Sequence, residues 1–303
     1  MSEMHGGGSA NNYKITTHGQ SFFLKVYDKK KTQALVWTEN IHCYMPILVW
    51  LNENTPLRGR MLHPLKSAGG DYCFENDESV FLLFEWLKGE TLGKSMTHTQ
   101  LLEAAELIAC LHGYGSEIPV SVDNIQEDFS VPFCHSLEGF VMDGFAAAPA
   151  EMREILQPYV AQLLSKSKEV KRLSEKAKQK SSRRVLCHTD AHGYNFIQGE
   201  QLALVDWEGI KLAPAEADLM MFSKKEYWEV FWGRYGKLRP RFVLDDELFL
   251  FYILRRKMED IWDFIERLLD NSSSLSLSFK QRECCLAFLS ECCKTLDDVY
   301  FEL

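Results

Sequence analysis

The sequence lacks the features of a membrane-spanning or disulfide-stabilised protein. None of its apolar runs approaches the roughly 20 residues that a transmembrane helix needs. The opening residues, MSEMHGGGSANN, contain no apolar segment of the kind that secretory signals carry. The nine cysteines show neither regular disulfide spacing nor a CxxC pair. We therefore expect a cytoplasmic protein with free thiols and without a membrane partner.

Positive charge is also scarce. The chain has 34 Lys and Arg against 43 Asp and Glu, which gives a net charge of −9. Such an excess of acid disfavours binding to nucleic acid or to anionic membranes. It suits a cationic substrate, and we expect an anionic ligand to bind where a metal ion and a lysine neutralise it. The composition leaves the oligomeric state open.

The first third of the chain has β-type patterns. Two short β runs, Tyr13–Thr17 and Ser21–Tyr27, flank His18-Gly19 and predict a hairpin. Apolar spacing of three and four predicts a helix over residues 32–53, which a proline at position 46 should kink or break. VFLLF, at 80–84, predicts a buried strand.

The remainder is mostly helical, apart from an irregular stretch expected over 116–148. We therefore predict an α+β protein with two lobes and a cleft between them. The small β-rich N-terminal lobe would span residues 1–87 and the larger, mostly helical C-terminal lobe residues 88–303, with a hinge at 84–89. Helices are predicted at 99–112, 151–179, 248–269 and 279–301.

Residues 185–222 place several polar side chains between apolar runs. Asp190 lies five residues before Asn195 and sixteen before Asp206, which follows a strand-like run. A tight loop can turn the first two to one point, and strand pairing can bring Asp206 to the same point. A carboxylate and an amide oxygen suit Mg²⁺, and a further carboxylate that does not bind the metal can accept a proton from a hydroxyl.

Residues before the hinge supply groups that suit phosphate. Gly7, Gly8 and Ser9 could let backbone N–H groups approach a phosphate. Lys25, in the run FFLKVY, alternates with apolar neighbours and could neutralise phosphate charge, held by an ion pair with Glu39 of the next helix. With the polar cluster after residue 185, these groups make up the set that phosphoryl transfer uses.

The pattern VLCHTDAHGYNF followed by LALVDWE resembles the catalytic segment of the aminoglycoside phosphotransferase family, a branch of the protein-kinase-like fold. The family pattern is H-x-D-x-x-x-x-N, then an apolar strand and D-W-E or a close variant. The continuation LAPAEADLMMF and the later YILRRKMEDIWDF are most similar to the spectinomycin phosphotransferase branch. The resemblance spans about residues 6–270 and is sharp over 185–222.

This resemblance implies an enzyme that moves the γ-phosphoryl group of ATP or GTP to a hydroxyl of an aminoglycoside-like cation. Asp190 would be the catalytic base, and Asn195 and Asp206 would hold Mg²⁺. Lys25, positioned by Glu39, would bind the α- and β-phosphates.

The same resemblance implies supporting residues. His188 would brace the catalytic loop, and Asp218 would tie that loop to the C-terminal lobe. The backbone at the hinge, including Glu85 and Leu87, would pair with the nucleobase. Candidate substrate contacts, which also fit core or surface roles, are Trp228, Trp232, Glu259 and Asp260.

Three other interpretations remain open. A metabolic kinase of the same fold, acting on choline, ethanolamine, homoserine or a thiosugar, would share every motif. A non-catalytic pseudokinase would fit the short stretch before the glycines. A metallohydrolase could use His188, Asp190 and His192 as ligands, but it would leave Asn195 and the D-W-E segment unexplained.

The twelve residues from Asp206 to Asp218 leave no room for a peptide-binding segment, which favours a small substrate.

Overall fold

The computed structural model of the chain describes residues 1–4, 10–30, 37–269 and 278–298. Its first third forms a five-stranded antiparallel sheet in the order β1-β2-β3-β5-β4. The strands are β1 (Ser2–Met4), β2 (Asn11–Thr17), β3 (Gln20–Asp28), β4 (Cys73–Glu75) and β5 (Ser79–Glu85).

The predicted hairpin is confirmed. Strands β2 and β3 pair up to Thr17 and Gln20, and His18 and Gly19 alone make the turn. Their φ angles of 47° and 79° are those that a two-residue hairpin turn requires. Because β3 lies at the centre of the sheet and side chains alternate along a strand, the buried Lys25 and Tyr27 share one face.

The next helix, α1 (Ile41–Asn54), runs through Pro46 without a break, so the predicted break is wrong. Pro46 lies in the second turn, where its missing N–H costs the helix one bond, to the carbonyl of His42. The side chains around it, Met45 and Ile47, are buried and keep the helix packed. The first residues of the predicted helix, 32–36, lie outside the described residues.

Helices dominate after residue 97, which confirms the α+β prediction. A capping box in which Thr97 and Gln100 exchange hydrogen bonds begins α2. Part of the stretch predicted to be irregular, 116–148, is helical, because Pro132 is compatible with the first turn of a helix. The remaining helices are α2 (His98–Leu111), α3 (Pro132–Gly139), α4 (Ala150–Leu156), α5 (Val160–Gln179), α6 (Glu216–Leu219), α7 (Lys225–Leu238), α8 (Asp246–Leu269) and α9 (Phe279–Lys294).

Five short strands frame the segment that carries the polar cluster. β7 pairs with β10, and β8 pairs with both β6 and β9, always antiparallel. These strands are β6 (Glu90–Thr91), β7 (Val185–Cys187), β8 (Phe196–Gln198), β9 (Leu202–Leu204) and β10 (Lys211–Ala213). The loop from β7 to β8 therefore leaves one small sheet and enters another.

The chain divides into two compact units. The first comprises Met1–Glu127 and Arg183–Phe242, and the second comprises Asp128–Ser182 and Val243–Leu303. In the first unit the five-stranded sheet is grouped with α2, α7 and the small strands; in the second, α8 packs on α5 and α9. The domain boundary at residue 87 therefore stays a prediction, since this division falls elsewhere.

All nine cysteines are unpaired, and none of the described helices combines the length and apolar character of a membrane span.

Candidate active site

The loop after β7 is held in an unusual backbone conformation. The chain leaves the buried strand at Cys187, and Thr189 then has a φ of 68°, a left-handed value that β-branched residues rarely adopt. The Thr189 hydroxyl donates a hydrogen bond to the Gly209 carbonyl at 2.8 Å. Backbone strain that surrounding contacts hold in place is typical of functional loops.

Asp218, fully buried on α6, binds the start of this loop. Its carboxylate accepts hydrogen bonds from the backbone N–H groups of His188, at 2.9 Å, and Thr189, at 2.5 Å. Nε2 of the buried His112 lies 3.1 Å from the same carboxylate, and His112 Nδ1 lies 2.8 Å from the Tyr235 hydroxyl. These contacts suit the loop-holding role expected for Asp218, because hydrogen bonds to a carboxylate are among the stronger ones.

Both ring nitrogens of His188 are used inside the protein. Nε2 donates to the Val205 carbonyl at 2.9 Å, and Nδ1 accepts from the Asp190 backbone N–H at 3.3 Å. Burial lowers the pKa of His188, although the Asp218 and Asp190 charges oppose it, so the ring is neutral. A zinc site built on His188, Asp190 and His192 would need a free nitrogen on His188, so the geometry argues against the metallohydrolase.

The structure brings Asp190 and Asn195 together. The Asn195 amide Nδ2 donates to the Asp190 backbone carbonyl at 2.8 Å and to its carboxylate at 2.9 Å. This leaves the Asn195 Oδ1 atom for a cation. The Asp190 side chain is 34% exposed, so a substrate hydroxyl can approach it, and His192 Nε2 lies 3.5 Å from its other carboxylate oxygen.

Asp206 joins the same region through strand pairing. The Val205 N–H donates to the Asn195 carbonyl at 2.9 Å, which holds the segments before Asp206 and around Asn195 side by side. Asp206 itself has a left-handed backbone, with a φ of 65°. Its carboxylate and the Asn195 Oδ1 are hard oxygen donors of the kind that Mg²⁺ prefers, so these residues fit that ion.

Lys25 forms ion pairs with two carboxylates. Its Nζ atom, on a side chain only 4% exposed, lies 2.8 Å from Asp206 Oδ1 and also contacts Glu208 Oε1. The Tyr27 hydroxyl donates to the same Glu208 oxygen. Burial alone would lower the pKa of Lys25 and raise that of Asp206, but their mutual attraction outweighs it. The pKa of Lys25 therefore lies above its ordinary value and that of Asp206 below.

The predicted ion pair between Lys25 and Glu39 is not formed, which corrects that expectation. Glu39 is exposed, and the acidic partners of Lys25 come from the D-W-E segment instead. The sequence pattern did not single out Glu208 or Tyr27, although Tyr27 lies two residues after Lys25 and so on the same strand face. The predicted phosphate-binding residues Gly7, Gly8 and Ser9 lie outside the described residues.

The predicted hinge follows β5. Glu85 ends the strand, and its N–H donates to the His63 carbonyl at 2.9 Å, so that donor is not available to a nucleobase. Leu87 follows in a stretch without regular structure and is half-buried. Close by, the Lys14 ammonium lies 4.2 Å from the centre of the Trp86 ring, a cation–π contact that holds β2 against this segment.

Trp228 and Trp232 lie one turn apart on α7. Their rings stack with centroids 5.1 Å apart, and both residues are half-buried. Trp232 also packs against Tyr235 and Phe242, contacts that suit the core role that the sequence also allowed. Trp228 is half-buried like Trp232, and its contact with a substrate stays a prediction.

Glu259 and Asp260 lie on α8, in the second unit. Arg255 lies 2.8 Å from Glu259, and Arg256 lies 2.9 Å from Asp260, each one turn earlier on the same helix. These pairs neutralise the two acids locally and fit the solvated face of a helix. Their contact with a cationic substrate stays a prediction.

Within the described residues, one cluster has the spacing of a metal site: His112, Cys187 and Asp218, whose ligand atoms lie within 4.8 Å of one another. Each of these atoms already has a protein partner. The Cys187 thiol contacts the Ala213 and Pro214 carbonyls at 3.6 and 3.4 Å, and burial raises its pKa well above the ordinary value. A buried protonated thiol is a structural group rather than a metal ligand.

Comparison with solved structures shows which fold this is. Spectinomycin phosphotransferase APH(9)-Ia, in complex with ADP and spectinomycin, superposes with a TM-score of 0.74 at 17% identity and covers 96% of this chain and 88% of its own. A microcompartment-associated aminopropanol kinase gives 0.63 at 14% identity, covering 99% and 93%. Amicoumacin kinase hAmiN, in complex with AMP-PNP, Ca²⁺ and Ami, gives 0.61 at 13%, covering 98% and 89%. No curated protein sequence is similar enough to count as a relative.

The fold and the family model define the class of protein. The fold is that of the protein-kinase-like phosphotransferases, with a β-rich N-terminal part followed by a helical part. The model of the APH phosphotransferase enzyme family matches residues 2–245. The chain therefore belongs to this family, whose members transfer a phosphoryl group to a hydroxyl.

Proposed function

We propose that the enzyme transfers the γ-phosphoryl group of ATP or GTP to a hydroxyl of a small cationic molecule of the aminocyclitol type. The observation that carries this proposal is the convergence of four side chains within one unit. Asp190 is tied to Asn195, and Asp206 is tied to Lys25, by hydrogen bonds of 2.8–2.9 Å. Base, cation ligands and phosphate-binding lysine are the groups that phosphoryl transfer requires.

Each residue would have a distinct task. Asp190 would orient the acceptor hydroxyl and take its proton, since its carboxylate is partly exposed and acts as an acceptor. Asn195 and Asp206 would hold Mg²⁺, which when bound neutralises charge on the nucleotide phosphates. Lys25 would add a fixed positive charge next to them. Catalysis would rest on positioning and charge stabilisation.

The segment between Asp206 and Asp218 supports a small acceptor. A 3-10 turn, β10 and α6 take up the residues up to Asp218, so this stretch holds no extended platform for a peptide. The net charge of −9 favours a cation. Structures of similar fold come from kinases named for spectinomycin, amicoumacin and aminopropanol, all small molecules.

A nucleotide-consumption screen tests the proposal. Spectinomycin, other aminoglycosides, choline, ethanolamine, aminopropanol and simple sugars would each be offered with ATP and with GTP, and D190A would be the inactive control. Turnover with an aminocyclitol supports the proposal. Turnover confined to choline, ethanolamine or aminopropanol would establish the metabolic kinase, for which the aminopropanol kinase neighbour is the supporting observation. Nucleotide binding without turnover on any acceptor would favour the pseudokinase.

A further inference from the structure

Lys25 has more than one acidic partner, and the two partners differ in how firmly the protein holds them. Its ammonium contacts Asp206 and Glu208. The Asp206 side chain is 36% exposed, whereas that of Glu208 is 8% exposed. Asp206 is also the residue that would hold the metal ion, and a cation there would compete with the lysine for its carboxylate. The partner that can stay with Lys25 is therefore Glu208.

Glu208 is itself fixed by a second hydrogen bond. The fully buried Tyr27 hydroxyl donates to Oε1, the same oxygen that contacts Lys25. Because Lys25 and Tyr27 are two residues apart on β3, one strand face presents both donors to one carboxylate. Burial and, to a smaller extent, the Glu208 charge also raise the pKa of the Tyr44 hydroxyl on α1 well above the ordinary value.

We propose that Glu208, held by the Tyr27 hydroxyl, is the positioning residue for Lys25, in place of Glu39, the glutamate expected on the helix that follows β3. The inference rests on the proposed function, because Lys25 is there the phosphate-binding residue. A buried ammonium without a firm partner is costly and would leave the strand face. Glu208 keeps the ammonium in place when nucleotide and metal bind.

The first test needs no nucleotide. Lysine ammonium signals would be recorded by ¹H–¹⁵N NMR in wild type, E208Q and Y27F, with K25M to assign Lys25. We expect a Lys25 signal protected from solvent exchange in wild type, much less protected in E208Q, where Asp206 is the remaining acidic partner, and slightly less protected in Y27F. E75Q is the matched control, since it removes the 2.8 Å ion pair between Glu75 and Lys29 in the same sheet. A Lys25 signal unchanged in E208Q would overturn the inference.

The second test measures ADP affinity by calorimetry, in EDTA and again with Mn²⁺. We expect E208Q to weaken metal-free ADP binding about tenfold, the loss of roughly one charge-assisted hydrogen bond, and Y27F to weaken it less. If E208Q bound ADP in EDTA as tightly as wild type but bound Mn²⁺ more weakly, Glu208 would be a metal ligand. This result would contradict the inference. If ADP bound more weakly to E39Q but not to E208Q, Glu39 would be the positioning residue and the inference would be wrong.

The two tests separate the two proposals. If wild type binds neither ADP nor ATP, the proposed function fails, while the NMR result still decides whether Glu208 holds Lys25. Y27F removes one hydroxyl and leaves the ring, so it keeps the inference testable if E208Q does not fold.

Discussion

At the scale of single residues, Asp190 and Asp206 differ in the groups that hold them. The Asp190 carboxylate accepts a hydrogen bond from the Asn195 amide, a neutral donor, and lies 3.5 Å from His192. Asp206, by contrast, is paired with the Lys25 ammonium. The lysine charge outweighs burial and lowers the pKa of Asp206, so this carboxylate stays charged, as the proposed cation-binding role requires.

The variant D190N should lower kcat by about 10²–10⁴-fold, the usual contribution of general-base catalysis. Nucleotide affinity should change little, because the ion pairs of Lys25 involve Asp206 and Glu208 instead. Steady-state kinetics on the acceptor found by the screen and ADP calorimetry measure the two effects. D143N, at an exposed position, is the control. If D190N kept more than about a tenth of wild-type kcat, Asp190 would not be the base.

The pKa of Asp206 gives a second prediction at this scale. Because the folded-state pKa lies below the ordinary value, its ion pair with Lys25 stabilises the fold fully above the unfolded pKa and is lost as the pH falls through the folded one. The stability difference between wild type and D206N should therefore be largest above about pH 5 and shrink towards about pH 3. Urea unfolding at several pH values measures it. A difference independent of pH would show that the pair does not stabilise the fold.

At the scale of elements, α6 and the loop after β7 act together through Asp218. The variant D218N should reduce the free energy of unfolding by about 2–4 kcal/mol, because it disturbs a fully buried carboxylate with three donors. Urea unfolding gives the value, and D77N, at an exposed position, is the control. If D218N lowered the free energy of unfolding no more than D77N does, Asp218 would not be needed to hold the loop.

The loop also depends on a close backbone approach at Gly193. A Cβ there would lie 2.2 Å from the Gly93 carbonyl oxygen, closer than any real contact. G193A should therefore displace the loop and lower kcat by about 10²-fold, the loss that a misplacement of about 1 Å can cause. G139A is the matched control, since nothing lies within 4 Å of its Cβ. Circular dichroism and kinetics distinguish a displaced loop from an unfolded protein.

How much the sequence could predict at this scale depends on how local each signal is. The turn at His18-Gly19 and the spacing from Asp190 to Asn195 depend on neighbours in sequence, and the structure matches both. The partner of Lys25 could not be predicted from neighbouring residues, because Glu208 lies 183 residues away and only the fold brings it near. Glu39 was expected because the next helix commonly supplies that acid. The break predicted at Pro46 is wrong for a related reason. Tertiary packing of α1, which the local sequence does not show, outweighs one missing hydrogen bond.

At the scale of the whole molecule, charge is the property that acts over distance. The net charge of −9 attracts cations, and an attraction of this kind is screened within roughly 10 Å at 0.1 M salt. It acts mainly on the approach of the substrate and less on the chemical step. The salt dependence of KM and that of kcat should therefore differ.

We expect the KM for a cationic acceptor such as spectinomycin to rise several-fold between about 25 and 400 mM NaCl, with kcat nearly constant. A neutral sugar acceptor, if one is turned over, should show no such rise, and it serves as the control for effects of salt on the nucleotide. Steady-state kinetics at saturating nucleotide measure both. A KM independent of salt for the cation would show that local contacts, rather than the overall charge, select the acceptor. The half-buried Trp228 would then be the first residue to change.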